Sequence, residues 1–404
     1  MELPSPSAET APAVVTALGV ASPIGIGPED FWASLLSGAD AAGPVRAFDA
    51  SAFGVDIGCE LDPDTALAGS AQTGRAARLA ATAGAQALGH AGLSASQRAA
   101  TALCVGTTMG EACWLESWGA ELLDAPEDRL PADELLRSGP DQIGSDVAEL
   151  LGLHGGRTVV GGACAAGNYA ISRAMDLVRL GRAERVLAGG TDSFSRVAYT
   201  GFASLGALAR NACRPFSADR EGLVLGEGAA MLLIESVDAA RARGAAPLAR
   251  LAGAGLSCDA HHIVSPHPEG DGVVRALRGA LAEASAGSGD VDWVCAHGTG
   301  TRANDAREVR AAGSVFGSDR PPMSSIKALT GHCLGASSAF EAVACVLALQ
   351  RQVIPPTWNF GATDPDCDWD VVPSAPRQAS LTTVVNNASA FGGANAAVVL
   401  RRAD

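Results

Sequence analysis

Three residues stand in settings that suit nucleophilic chemistry. Cys164 lies in Val159-Val160-Gly161-Gly162-Ala163-Cys164-Ala165-Ala166-Gly167, which reads as a strand running through a small-residue turn into a helix. Ile171, Ala174, Met175 and Val178 give that helix an apolar face, and Gly181 ends it. A sulfur at such a turn meets free backbone N–H groups and the positive end of the helix dipole, which favour thiolate. A small buried cysteine filling a tight turn fits the same residues. His297, in Cys295-Ala296-His297-Gly298-Thr299-Gly300-Thr301, and His332, in Ser324-Ser325-Ile326-Lys327-Ala328-Leu329-Thr330-Gly331-His332, each border a strand-end loop, where open α/β sheets keep their ligand sites. One such histidine is usually structural. Two of them, beside a helix-capped cysteine, make a candidate Cys-His-His constellation for covalent catalysis.

The elements that must position these residues alternate along the chain. Residues 14–20 read as a buried strand and Pro28 to Leu36 as a helix with Glu29 and Asp30 in its first turn. Further helices are expected near 74–91, 141–151 and 165–180, and strands at 102–106, 157–160, 185–189 and 229–234. After Pro247 the grammar repeats, with a strand to Gly255, helices near 271–286, 304–312 and 335–351, and strands at 292–296, 381–386 and 395–400. The expectation is an α/β fold of two similar halves, 13–240 and 241–404, behind a loose tail over 1–12. No Pro- or Ser-rich linker separates the halves.

Composition removes several classes. The 404 residues are 48% hydrophobic and 18% charged, enough to bury a large core and too apolar for wholesale disorder. A net charge of −15 offers no basic footprint for nucleic acid. The N-terminus has neither the positive nor the apolar region of a secretory signal, and no segment reads as membrane-spanning, so a cytoplasmic protein is expected. The ten cysteines include no C-x-x-C pair and are expected as free thiols, with no metal centre. His261, His262 and His267 share a segment broken by Pro266 and Pro268, which presents no regular ligating face. Gly19 to Gly27 lacks the Gly-Lys-Ser/Thr ending of a phosphate loop. Lys327 is the one lysine of the chain.

The residues closely resemble the elongating β-ketoacyl-[acyl carrier protein] synthases of fatty acid and type II polyketide pathways. The likeness spans nearly the whole chain and keeps the family's order: VVTALGVASPIGIG at 14–27, ACAAG at 163–167, RPFSADREGLVLGEGAA at 214–230, PHPEGDG at 266–272, AHGTGTRANDAREVRA at 296–311, SSIKALTGHCLGA at 324–336, PPTWNF at 355–360 and NASAFGGANA at 387–396. The resemblance implies the thiolase fold, a five-layered α-β-α-β-α body. It implies Cys164 as the nucleophile that takes an acyl group from a carrier protein's phosphopantetheine, with no bound cofactor. His297 and His332 would hold the malonyl thioester carbonyl, beside Lys327. The oxyanion would rest on the backbone N–H groups of Cys164 and Phe391. It further assigns Met109, Ser389, Ala390 and Phe391 to the acyl pocket and its gate, and Thr299, Thr301, Glu308 and Glu341 to supporting roles. Partners would be an acyl carrier protein and a second subunit, in a homodimer or in a heterodimer with a related ketosynthase-like chain.

Elongating enzymes of the family carry two histidines, so His332 points to decarboxylative condensation, and Cys164 to an active subunit. An acyltransferase forming esters or amides without decarboxylation, and a non-catalytic partner subunit, are the alternatives. Ser389-Ala390 replaces the usual Phe and Gly before Phe391-Gly392-Gly393, and alanine is barred from angles glycine reaches. The stretch Ala207 to Arg214 is shorter than the family's, and Asn168 and Tyr169 follow the nucleophile; together they suggest a specialised pathway.

Overall fold

The computed structural model describes residues 12–123 and 139–403, so the expected tail lies outside the described residues except for Pro12. The first half runs β1 (Ala13–Ser22), α1 (Pro28–Ser37), α2 (Arg75–Ala91), β2 (Ala102–Thr107), α3 (Pro140–Leu151), β3 (Arg157–Gly161), α4 (Ala166–Arg179), β4 (Arg185–Asp192), α5 (Arg196–Ser204) and β5 (Gly228–Ser236). The second runs β6 (Ala249–Cys258), α6 (Asp271–Glu283), β7 (Trp293–Cys295), α7 (Arg302–Phe316), β8 (Met323–Ser324), α8 (Ser337–Arg351), β9 (Thr383–Ser389) and β10 (Ala394–Arg402).

The duplication expected from the sequence is visible in the strand order. The first half reads β3-β2-β4-β5-β1 and the second β8-β7-β9-β10-β6, the same permutation of the chain order. Directions match as well. β2 is parallel to β3 and β4, as β7 is to β8 and β9, while β4–β5–β1 and β9–β10–β6 are antiparallel. The halves join where Ala13–Val15 of β1 pair with Ala249–Leu251 of β6.

Three apolar cores separate five layers. α2 and α3 cover one face of the first sheet, with Leu79, Leu88, Ile143 and Val147 against Leu103, Leu187 and Leu233. α6 and α7 cover the outer face of the second, with Leu277, Leu281 and Phe316 against Val294, Val385 and Val399. Between the sheets lie α4 and α8, whose Ile171, Met175, Phe340 and Val343 meet side chains of both. Every residue of α8 from Ser337 to Leu349 is buried, as expected of a helix enclosed on all sides.

Five helices of the described chain escape the sequence pattern: Ala95–Ala100, Ala112–Leu123, α5, Val237–Ala242 and Lys327–Thr330. α5 shows why. Its first turn is held by a carboxylate from elsewhere, Glu116, which accepts from Ser195 Oγ at 2.6 Å and from the Arg196 and Val197 amides at 3.1 and 2.9 Å. No helix among the described residues is long and apolar enough to cross a membrane.

Candidate active site

The cysteine turn forms as expected. Cys164 occupies a single 3-10 turn, Ala163–Ala165, between β3 and α4, with Ala163 at φ 45°. That is the left-handed region, disfavoured for any residue with a Cβ. The turn is held flush against β2 because residue 106 is glycine: a Cβ there would stand 2.2 Å from the Ala166 carbonyl oxygen.

The backbone N–H groups of Cys164 and Phe391 both point at the Cys164 sulfur and favour its anion. Burial outweighs them. It pushes the Cys164 thiol up to about 12, against the pull of Lys327 and the two amides and with the push of Asp192. The dipole argument from sequence thus finds the position and the groups that favour the anion, and burial opposes them.

The two histidines meet over this thiol. His297 follows β7, and His332 lies between the short helix Lys327–Thr330 and the turn Leu334–Ala336. Their rings stand 5.4 Å apart and nearly perpendicular. Hydrogen bonds fix both tautomers. The Leu334 N–H donates to His332 Nδ1 at 3.2 Å, and Lys327 Nζ donates to His297 Nδ1 at 3.3 Å, so each ring keeps its proton on Nε2. Burial and the field of Lys327 hold both imidazoles well below the usual histidine value, neutral.

Lys327 is 1% exposed and donates also to the His297 carbonyl oxygen at 2.6 Å and to the Glu341 carboxylate. Burial works against its charge, but Glu341 more than compensates and its pKa is raised. Glu308 clamps the turn after β7, accepting from the amides of His297 and Gly298 at 2.7 and 2.8 Å and from Asn387 Nδ2 at 2.7 Å. Thr301 caps α7, and its hydroxyl lies 2.9 Å from that of Thr299.

Cys164, His297, His332, Thr299, Thr301, Ser389, Ala390 and Phe391 share one cavity of about 330 Å³. Met109 is not on its wall. It packs behind it, in a cluster with Phe194, Tyr199, Phe202 and Leu334. Phe202, from α5, is a wall residue that sequence reasoning missed, although Ser195 caps its helix by accepting from the Ala198 amide at 3.2 Å. Its ring stacks on Phe391 at 5.3 Å.

Ala390 sits at φ −144°, ψ 158°, angles any residue adopts, while Gly392 and Gly393 carry the positive φ values of 77°. The described gate thus makes no use of a glycine at 390. His261 and His267 pack ring to ring at 5.2 Å in a loop, and among the described residues no group of three or more potential ligands converges on a metal position. All ten cysteines are free thiols.

Known proteins with this geometry can now be set beside it. The family model described as "Beta-ketoacyl synthase, N-terminal domain" matches residues 10–240, and its "C-terminal domain" counterpart matches 248–361. Nodulation protein E of Rhizobium sp. (strain N33) is 38% identical over 398 residues, covering 96% of this chain and 98% of its own. Among solved structures, the ishigamide ketosynthase/chain length factor superposes with a TM-score of 0.93 at 37% identity, covering 97% of this chain and 99% of that one. A type II PKS acyl-carrier protein complexed with its ketosynthase bound to the hexaketide gives 0.91 at 28% identity, covering 98% and 100%. Matched along both halves, with the thiolase fold and a cysteine and two histidines around one cavity, the chain belongs to the β-ketoacyl synthase family.

Proposed function

We propose that the chain is a β-ketoacyl-[acyl carrier protein] synthase that condenses an acyl group on Cys164 with a malonyl unit, losing carbon dioxide. The observation that carries this reading is the pairing of two donor sets at one cavity: two neutral Nε2–H groups and two backbone N–H groups. Condensation needs both. The Cys164 sulfur attacks the acyl carrier thioester, a new C–S bond forms, and the carrier thiol leaves with the cysteine's proton. Decarboxylation of malonyl thioester then moves the C–C bonding pair into an enolate whose oxygen takes hydrogen bonds from His297 and His332. The enolate carbon attacks the acyl-Cys164 carbonyl, whose oxyanion rests on the Cys164 and Phe391 amides, and collapse expels the Cys164 thiolate. Both steps build charge where fixed donors wait, the arrangement that lowers such barriers most.

In this reading both substrates arrive on a carrier protein's phosphopantetheine, and no resident cofactor takes part. The solved relative with its carrier protein supports that partner. Carriers of this family are acidic, and the chain itself is at −15, so docking needs a local basic patch. Arg210 and Arg302 line a depression beside the cavity, while nearby Arg214 and Arg220 are occupied by Asp219 and Asp364. A second subunit, identical or ketosynthase-like, is favoured by the sheet's open edge at β3, whose Thr158, Val159 and Val160 are only half-buried.

The test is mass spectrometry of the protein and its carriers with a panel of acyl carriers plus malonyl carrier. Acyl-Cys164 followed by a 3-oxoacyl carrier, both absent from Cys164→Ala, is expected. Loading without carbon dioxide release would favour transacylation, and no loading a silent partner subunit.

A further inference from the structure

Asp192, the last residue of β4, is fully buried and makes no salt bridge with any described arginine or lysine. Four neutral groups solvate it instead. Oδ1 accepts from Thr107 Oγ1 at 2.8 Å and the Met109 amide at 2.9 Å; Oδ2 accepts from the Thr108 amide at 2.9 Å and the Gly335 amide at 2.6 Å. An isolated buried carboxylate is costly, so a donor set of this kind is the condition of its being there.

The donors come from two places with different tasks. Thr107 ends β2 and Thr108 and Met109 follow it, and Met109 packs against Phe202 and Leu334 behind the cavity wall. Gly335 belongs to the turn that follows His332. That turn is strained, with Leu334 at φ 50°, and it is the Leu334 amide that fixes the His332 tautomer. Nothing larger than glycine fits at 335, where a Cβ would meet Asp192 Oδ2 at 2.8 Å.

We propose that Asp192 is a positioning residue: its carboxylate clamps the His332 turn to the end of β2, and so sets both the aim of His332 Nε2–H and the seat of the wall behind the acyl chain. The inference rests on the condensation reading. It separates two steps that a merely structural residue would weaken together, since decarboxylation depends on His332 and attack on Cys164 does not. The negative charge of Asp192 also opposes the Cys164 anion, as it does those of Cys333 and Glu111, with Lys327 acting on Cys164 in the other sense.

The experiment compares the full-length protein with Asp192→Asn and Thr107→Val in three readouts: carbon dioxide release from malonyl carrier, iodoacetamide alkylation of Cys164, and the chain-length profile of acyl loading. Asn keeps the shape but turns an N–H group toward N–H donors. A displacement of about 1 Å is enough to cost ~10²-fold in a positioned reaction. Asp192→Asn is therefore expected to lose ~10²-fold in decarboxylation while Cys164 alkylates at least as fast as in the parent. Decarboxylation within twofold of the parent overturns the proposal, and so does an equal fall in both reactions. Should Asp192→Asn not fold, Thr107→Val decides, because it removes one donor to Asp192, along with the acceptor of the Gly110 amide, and leaves the other three donors in place: a changed chain-length profile with slowed decarboxylation supports the clamp, and an unchanged profile and rate overturn it. A parent protein that neither loads acyl groups nor releases carbon dioxide would instead fail the condensation reading.

Discussion

The Lys327 ammonium reaches His297 twice, at its carbonyl oxygen (2.6 Å) and at its Nδ1 (3.3 Å). The chain's one lysine is thus spent entirely inside the site. Its third hydrogen bond goes to Glu341, so the three N–H bonds have three acceptors and none is left over for substrate. Lys327 acts by holding the His297 ring in the Nε2–H tautomer and by adding its field to the burial that keeps both imidazoles neutral.

Lys327→Ala removes that hold and strips its cation from Glu341, whose carboxyl burial already raises to about 7. Breaking a buried pair this way costs about 3–5 kcal/mol, and losing one aimed donor costs ~10²–10³ in rate. The double variant Lys327→Ala, Glu341→Gln is expected to regain most of the melting temperature and none of the decarboxylation rate. Thermal denaturation beside carbon dioxide release checks both; recovery of the rate in the double variant would show that the lysine matters only to the fold.

Neutral imidazoles donate without taking up a proton. Because burial and Lys327 hold His297 and His332 well below 6.5, lowering the pH from 7.5 to 6 leaves both rings uncharged. The imidazole NMR signals of His297 and His332 are therefore expected not to titrate across that range, while decarboxylation falls there as the buried carboxyls of Glu341, raised to about 7, and Asp192, raised to about 6, take up protons. Ring signals that titrate near pH 6.5 would mean that the rings behave as free histidines.

The Cys164 thiol titrates in the other direction. Pushed up to about 12 by burial, it is almost wholly protonated in the free enzyme at neutral pH, and thiolate accumulates only as pH rises. Alkylation by iodoacetamide should climb about tenfold per pH unit up to pH ~10 without levelling, where an ordinary thiol near 8.5 would level off. A plateau near pH 7 would show that the two amides and Lys327 prevail over burial.

Much of this site was legible because its residues announce themselves locally. Small residues around Cys164 are required by the close approach of Ala166 to Gly106, and the loops of His297 and His332 sit where strands end. What stayed hidden depends on contacts across the chain. Phe202 rides on a helix whose local cap, Ser195, is itself held by Glu116, 79 residues away. Asp192 looks like any strand-end aspartate until the fold brings Gly335 to it, 143 residues on. The same holds for the Cys164 thiol, since the helix N-terminus that favours its anion is local and the burial that opposes it is not.

Ala390 bears on the gate. In the described conformation its extended angles suit alanine and glycine alike, so Ala390→Gly gains nothing here and adds freedom elsewhere, at a stability cost of roughly 0.5–1 kcal/mol. The added freedom should let Phe391 leave its stack on Phe202 more often and change acyl-loading rates, most for long chains. Stopped loading reactions with carriers of different chain length check this, and rates unchanged at every length would remove Ala390 from the account of specificity.

Carrier docking gives the charge argument its test. A protein at −15 repels an acidic carrier at long range, so encounter must be rescued by charges at the mouth of the cavity. Arg210 and Arg302 are exposed there and flank Thr301 and the α5 end of the wall. Reversing both, Arg210→Glu with Arg302→Glu, is expected to raise KM for the carrier about tenfold at low salt, with kcat at saturating carrier little changed. The difference should shrink as ionic strength rises, because exposed charges are screened beyond about 3 Å at 1 M salt. An equal KM at low salt would place the docking face elsewhere, and a loss confined to kcat would mean that Arg302 acts through Thr301 on the cavity rather than on the carrier.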